Sequence, residues 1–401
     1  MKALFITREF PPYVYGGAGV HVEYLSKELA KLMDIDVRCF GDQDETIGNN
    51  SVTGYNYGGD QFANANPLLK PVLQTLSANI EMNINEIDAD VVHCHTWYSN
   101  FAGLLAKLMY GIPLVVTTHS LEPLRPWKRE QLGRGYDTSS WIEKTTIEMA
   151  DAVIAVSQET KEDVLKHFDV DESKVHIVNN GIDLDEYRES SSIKSLLKYG
   201  IDPDQPFVLF VGRITRQKGI IHLVNAIKHL DEKIQVVLCA GAPDTEDIAK
   251  EMESLIIEAK KTRDNIIWID EMLPKSEVIE LYSHATVFCC PSIYEPFGII
   301  NIEAMACKTA VVASAVGGIK EVVVHGETGL LVTVEQQNVA PFEPVDPEKF
   351  AMDLADSVNQ LVADENLRNK MEINGRQRVE DKFSWTEIAK EIKNIYESLL
   401  K

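Results

Sequence analysis

The segment Phe207–Val224, FVLFVGRITRQKGIIHLV, decides the fold. It opens on FVLFVG, a run too short for a helix and apolar at successive positions, as in a strand buried on both faces. A basic stretch, RITRQK, follows, and Gly219 then begins an apolar run with helical spacing. Strand, turn and helix in this order form half of a βαβ unit, and doubly buried strands belong to parallel sheets covered by helices.

The pattern repeats in both directions. Upstream lie ALFIT, DVRCF, DVVHC, PLVVTT, AVIAVS and VHIVNN; from Phe207 onward come FVLFVG, IQVVLCA, NIIWID, TVFCC, TAVVAS and GLLVTV. Two sets of six predict an α/β chain with two Rossmann-like domains. Ligands of such sheets bind beyond the C-terminal strand ends, so a cleft between the domains is the expected site. The join falls near 186–205, where periodicity lapses into RESSSIKSLLKYGIDPDQP, giving domains 1–190 and 191–384. FSWTEIAKEIKNIYESLL reads as an amphipathic helix over 385–401 with Ser384 as candidate cap. Whether it packs on its own half or crosses back to the first is open at this level.

Bulk properties agree. The 401 residues are 45% apolar and 25% charged, a length that suits two domains of roughly 150–200 residues. A formal net charge of -23 argues against nucleic acid as partner, though not against a small phosphorylated ligand that feels only its own site. The opening MKALFITREFPP is too short for a signal peptide, and no run approaches the ~20 apolar residues of a membrane span. Six cysteines sit mostly in strand-like runs and read as reduced core thiols of a cytoplasmic protein. No stable membrane association is expected, and a homo-oligomer is neither required nor excluded.

Several segments carry chemistry. After ALFIT comes REFPPYVYGGAGVHV, where Gly16, Gly17 and Gly19 open a helix and let backbone amides approach an anion; a turn required only for packing would look the same. Arg213 and Lys218 flank the turn after FVLFVG and could hold a diphosphate, with Arg216 a solvated neighbour. YEPFGIINIEAMAC, Tyr294–Cys307, places Glu295 in the loop beyond TVFCC and Glu303 about one turn into a helix starting near Gly298. That start leaves the amides of Phe297, Gly298, Ile299 and Ile300 for phosphate, and Glu303 for ribose hydroxyls. The plain alternatives are helix-dipole stabilisation for Glu295 and a partly exposed salt bridge for Glu303. His119 ends PLVVTTHS at the expected cleft. His93 and His95 share one strand face as a metal pair would, but no remaining ligand set is evident, so no metal is assigned. Trp97 and Tyr98 could stack on a sugar or simply pack.

Glu295 and Glu303, eight positions apart, match the E-x7-E motif of retaining glycosyltransferases of the GT-B architecture. Arg213 and Lys218 match that group's cationic pair, and Gly16–Gly17 its N-terminal glycine loop. NNGID and VGGIKEVV also look like family segments. TREFPPYVYGGAGVHV, HTWYSNFAGLLAK, HSLEPLRPWKREQLG and VGRITRQKG more closely resemble the ADP-glucose-dependent glycogen synthases of the actinobacterial type, a group that includes makers of α-maltose 1-phosphate. One departure stands out: the usual bacterial enzyme has Lys-Thr-Gly-Gly in the glycine loop, where this chain has Val14-Tyr15-Gly16-Gly17.

The resemblance implies retaining transfer of glucose from a nucleotide sugar to a sugar phosphate or α-glucan, with neither cofactor nor metal. It implies catalytic roles for Glu295, Arg213, Lys218 and His119. On the acceptor side the loop after His119 offers Arg125, Lys128 and Arg129, cations that suit glucose 1-phosphate better than an uncharged glucan end. Three rivals stay open. They are a transferase acting on a membrane-linked acceptor through RPWKREQLGR, a pyridoxal-dependent phosphorolytic enzyme, and a non-catalytic sugar-nucleotide binding module.

Overall fold

All twelve apolar runs form strands in the structure, a computed structural model that describes residues 1–401. The chain divides into two units, Met1–Gly181 with Trp385–Lys401, and Ile182–Ser384.

Unit 1 is built on an eight-stranded sheet. Its strands are β1 (Lys2–Thr7), β2 (Asp34–Phe40), β3 (Asp44–Ile47), β4 (Asn50–Tyr55), β5 (Val91–His95), β6 (Leu114–Thr118), β7 (Ala152–Ala155) and β8 (Val175–Ile177). They lie in the order β3-β4-β2-β1-β5-β6-β7-β8, and every pairing is parallel except β3 with β4. The order reverses direction between β1 and β5, which creates a crevice at their C-terminal ends.

Unit 2 carries β9 (Phe207–Arg213), β10 (Gln235–Gly241), β11 (Ile266–Ile269), β12 (Val287–Cys290), β13 (Val311–Ser314) and β14 (Gly329–Val332). The order β11-β10-β9-β12-β13-β14 is the doubly wound arrangement, wholly parallel, with its switch point between β9 and β12. The six cysteines are all buried and free. No helix is long and apolar enough to cross a membrane.

The open question of the last helix is resolved by its apolar face. Trp385, Ile388, Ala389, Ile392, Ile395 and Tyr396 recur at helical spacing, and all are buried in the core of unit 1 with Val22, Leu25 and Ile154. Tyr396 also reaches His93, its hydroxyl 2.6 Å from Nδ1. The boundary predicted at 190/191 moves to 181/182. Residues just after Gly181 belong to unit 2 because Tyr187 is anchored there: its hydroxyl donates to Glu303 at 3.0 Å, and Arg376 donates to its carbonyl at 2.9 Å. A lapse in periodicity marks a loop, but not which core claims the loop's one buried tyrosine.

Candidate active site

In unit 2 the switch point brings Lys218 and the first glutamate together. β9 ends on Arg213, and the chain turns back through Lys218 to Gly219 at φ +63°. A Cβ on Gly219 would lie 1.9 Å from the Pro291 carbonyl oxygen, so only glycine lets the loop after β9 sit against the loop after β12. The Gln217 carbonyl accepts from the Ile293 amide at 3.0 Å and joins the two loops. Lys218 Nζ consequently stands 2.6 Å from Glu295 Oε2, which also accepts from Ser292 Oγ at 3.2 Å. From the far side Gly317, at φ +52°, closes on the Glu295 backbone, where a Cβ would fall 1.9 Å from its carbonyl oxygen; the next amide, Gly318, donates to that oxygen at 3.0 Å. The VGGIKEVV segment therefore braces Glu295. Glu295 is 7% exposed, a level at which an unpaired carboxylate would be costly.

Arg213 is held separately. Its Nη1 donates to Asp244 Oδ1 at 2.6 Å, from a loop just beyond β10. Sequence reasoning missed Asp244, although GAPDT follows IQVVLCA directly and so places an acid on the same rim as Arg213.

The helix after Glu295 runs Ile299–Ala306 with Gly298 as N-cap. Its first backbone bond runs from the Asn301 amide to the Gly298 carbonyl, which leaves the amides of Ile299 and Ile300 outside the intrahelical ladder. Phe297 is buried and packs edge-on against Phe383. Glu303 is not the partly exposed ion pair of the plain alternative. Its two oxygens accept from the hydroxyls of Tyr187, at 3.0 Å, and Tyr282, at 3.1 Å. Burial raises its carboxyl above the usual range, and the two tyrosine hydrogen bonds pull the other way.

In unit 1 the glycine loop follows β1. Gly16 caps the helix Gly17–Leu29, and its amide donates to Glu9 Oε2 at 2.7 Å; the Tyr15 amide donates to the same oxygen at 2.8 Å. A carboxylate of the chain thus already occupies two amides of the loop, and Glu9 is a second residue that the sequence did not flag.

His119 follows β6 and sits among histidines. Its Nε2 is 3.1 Å from His95 Nδ1, and its ring meets His21 edge-on with centroids 4.7 Å apart. His21 Nδ1 lies 2.6 Å from Asn180 Oδ1, which explains the NNGID segment: Asn180 is buried and fixes the ring of His21. His93 spends both nitrogens on Tyr396 and Thr117. The trio that could meet a metal is therefore His21, His95 and His119, and not the His93–His95 pair that only looked like one in the sequence, with ligand atoms within 4.8 Å of one another. A tetrahedral zinc with ligands ~2.1 Å away needs them only about 3.4 Å apart. The His95 and His119 nitrogens, 3.1 Å apart, are within that spacing, but no fourth protein ligand joins the trio, and no metal is assigned.

Burial drives all four rings toward the neutral form: His21 is pushed down to about 4, and His93, His95 and His119 lie well below the usual histidine value. The unfolded chain therefore binds more protons than the folded one as pH falls below about 6.5. Their contribution is complete above that pH and is lost as pH drops toward the folded values, by up to about 1.4 kcal/mol per pH unit for each ring. Five carboxyls raised by burial, Glu143, Asp163, Glu303, Glu372 and Glu391, act in the opposite sense, but the four buried rings, with the lowered His167 and His176 beside them, have an ordinary value inside the pH 5–7 window and dominate there. Calorimetry is expected to show the unfolding temperature falling from pH 7 to pH 5. A flat or rising trend would refute this account.

The predicted acceptor residues divide. Trp97 is 2% exposed and packs with Val72, Leu132 and Tyr136, so it is a core residue and offers no face to a sugar. Tyr98 is half-buried, stacked on Trp97 at 4.2 Å, with the Arg8 guanidinium 4.3 Å above its own ring. Arg125 donates to Glu122 at 2.6 Å, Lys128 to Gln131 at 2.9 Å and Arg129 to Asp137 at 2.6 Å. Glu122 is fully buried and also accepts from Ser139 at 2.7 Å, so Arg125 is firmly placed. Arg129 is half exposed, as its partner is.

Comparison with known proteins agrees in both halves. A family model described as Glycosyl transferases group 1 matches residues 193–341, and one described as Glycosyltransferase Family 4 matches residues 15–186. The chain is 48% identical over 403 residues to an alpha-maltose-1-phosphate synthase of Mycolicibacterium smegmatis, covering 99% of each. It is 44% identical over 401 residues to an alpha-maltose-1-phosphate synthase of Mycobacterium tuberculosis, again covering 99% of each. Among solved structures, sucrose-phosphate synthase from Thermosynechococcus elongatus matches with a TM-score of 0.81 at 25% identity, covering 100% of this chain and 99% of that one.

Proposed function

Because the chain belongs to the glycosyltransferase family that contains the alpha-maltose-1-phosphate synthases, we propose that it transfers glucose from ADP-glucose to glucose 1-phosphate, with retention at the anomeric carbon. The product is maltose 1-phosphate, joined through an α-1,4 link, and the role is in glycogen or α-glucan synthesis. The observation that carries the reading is the Lys218–Glu295 pair at the β9/β12 switch point, beside Arg213 and the helix start at Ile299.

As the bond from sugar to diphosphate breaks, negative charge grows on ADP and positive character on the anomeric carbon. Arg213, Lys218 and the amides of Ile299, Ile300 and Gly17 stabilise the leaving diphosphate, usually the largest single contribution to such a reaction. An ammonium has three donors, so Lys218 can serve a phosphate oxygen while still bound to Glu295. Glu295 accepts hydroxyls of the transferred glucose, and His119, neutral among its neighbours, contacts the same sugar. The acceptor hydroxyl attacks from the face that ADP leaves, and its proton passes to the departing phosphate. Glu303 takes the ribose on the lone pairs its tyrosines leave. No metal is assigned a role, because two cations and helix-start amides already face the developing charge.

Arg125, with Lys128 and Arg129 beside it, reads the acceptor phosphate in this account. A glucan end is the second reading. It is favoured by the carboxylate already on Arg125, which shares its charge, and by the carboxylate on Arg129. Arg125→Ala or Lys128→Ala is expected to raise KM for glucose 1-phosphate about tenfold for each contact of ~1.4 kcal/mol lost. Hydrolysis of donor without acceptor should stay as it was. Normal use of glucose 1-phosphate by both variants would shift the assignment to a glucan. The decisive experiment is product analysis with ADP-glucose and UDP-glucose, each offered with glucose 1-phosphate or glycogen, in the presence of a chelator. Transfer only from UDP-glucose, only to glycogen, or only after metal is restored would each overturn the corresponding part.

A further inference from the structure

The turn between β10 and the helix Glu246–Ala259 is built for more than connection. β9 and β10 run in register to their last residues, where Gly241 pairs with Arg213. The Ile214 amide then donates to the Gly241 carbonyl at 3.0 Å, and the Asp244 amide returns a bond to the Ile214 carbonyl at 3.1 Å. Between them Ala242 has φ +48°, a conformation that a residue with a Cβ adopts at a cost. The following residue, Thr245, already caps the helix, accepting from the Ile248 amide, so Asp244 is not needed as the cap. What the strained turn achieves is to carry the Asp244 carboxylate to Arg213 at 2.6 Å, with the two side chains only 13% and 23% exposed.

We infer that Asp244 is a positioning residue that holds the Arg213 guanidinium in the orientation in which it receives the donor's diphosphate. The inference rests on the reading that Arg213 binds that diphosphate. An arginine on a strand end has many rotamers to lose when it binds, and a fixed carboxylate removes most of that freedom beforehand. The fork offers five N–H donors, and it meets Asp244 through Nη1. The Asp244 backbone is fixed by its own amide, bonded to the Ile214 carbonyl at the end of the strained turn, so its carboxylate starts from a set place beside Arg213 and does not approach as a mobile competitor would. Asp244 therefore stays on Arg213 through the reaction.

The test is a double-mutant cycle on the full chain, reading Kd for free ADP, turnover, and KM for the acceptor, with the unfolding temperature as a check on folding. Asp244→Asn keeps the side chain's size and is expected to weaken ADP binding and lower turnover, each by about tenfold, with the acceptor KM unchanged. In an Arg213→Ala background the same substitution should cause no further loss. Losses that multiply in the double variant would show that Asp244 acts independently of Arg213. Tighter ADP binding by Asp244→Asn would show a competitor in place of a positioning group. Either result overturns the inference. If Arg213→Ala alone leaves ADP affinity and turnover intact, the diphosphate reading itself fails, a result distinct from an Arg213 effect that Asp244 does not share.

Discussion

Glu295→Gln is expected to lower turnover about a hundredfold, in line with losing a transition-state contact of ~3 kcal/mol, while leaving the fold in place. The fold should survive because the backbone of Glu295 is braced independently of its carboxylate, by the Gly318 amide and the close approach of Gly317. Glutamine can still accept from Ser292, but it removes the charge from a lysine 2.6 Å away. Positive character at the anomeric carbon then develops beside an uncompensated ammonium. Glu303→Gln should behave differently. Glutamine offers one acceptor oxygen where two tyrosine hydroxyls now donate, so one hydroxyl must turn or go unpaired. The expected result is a higher KM for donor and a lower unfolding temperature, with turnover at saturating donor changed far less than in Glu295→Gln. Steady-state kinetics of both variants over a full range of donor concentrations decides it. Equal and small effects on turnover would remove the division of roles between the two glutamates.

Trp385→Ala should cost about 3–5 kcal/mol of stability. The indole is 4% exposed, lies parallel to Tyr24 with centroids 6.0 Å apart, meets His21 edge-on at 5.3 Å, and packs so closely on Gly181 that a Cβ there would fall 2.6 Å from Cδ2. Removing it opens a cavity at the junction of the first helix, the last helix and the histidine cluster. Hydrogen exchange should speed up at the amides of β1, β5 and β6, whereas β9, β10 and β12, which belong to the other core, should keep their protection. Uniform loss of protection in both units, or loss confined to unit 2, would contradict the assignment of this helix.

Buried parallel strands were legible because burial on both faces leaves an unbroken apolar run whatever the loops do. The β3–β4 ribbon was not. Asp44–Ile47 is exposed at every position, an edge strand of the kind kept polar against unwanted pairing, and so it carries no apolar signature. Among the site residues, those lying in compact motifs were readable. Lys218 and Glu295 meet as the motif spacing suggests, each placed by a glycine that tolerates no side chain. Asp244 and Asn180 went unseen because each acts on a partner distant in sequence, and only the sheet order makes them neighbours; Glu9 acts locally, on the amides of Tyr15 and Gly16, but an acid before a proline pair carries no mark of that role. Trp97 and Tyr98 show the converse. Adjacent aromatics at a helix start look alike on paper, yet one is sealed in the core and the other half-open beneath Arg8.

The return of the last helix to unit 1 fixes an order of events during synthesis. Domains ordinarily close in the sequence in which they leave the ribosome, the N-terminal one first. Here the first-made sheet lacks Trp385, Ile388, Ile392 and Tyr396 until the whole of unit 2 has emerged. At about 5–20 residues per second, the roughly 200 residues between them delay its completion by about 10–40 seconds. Unit 2, contiguous from Ile182 to Ser384, can close within that interval. Meanwhile the waiting half presents Val22 and Leu25, on the helix Gly17–Leu29, without their last partner, apolar surface of the kind that chaperones engage and that aggregates in their absence. The nascent chain is thus most vulnerable in the half that was made first.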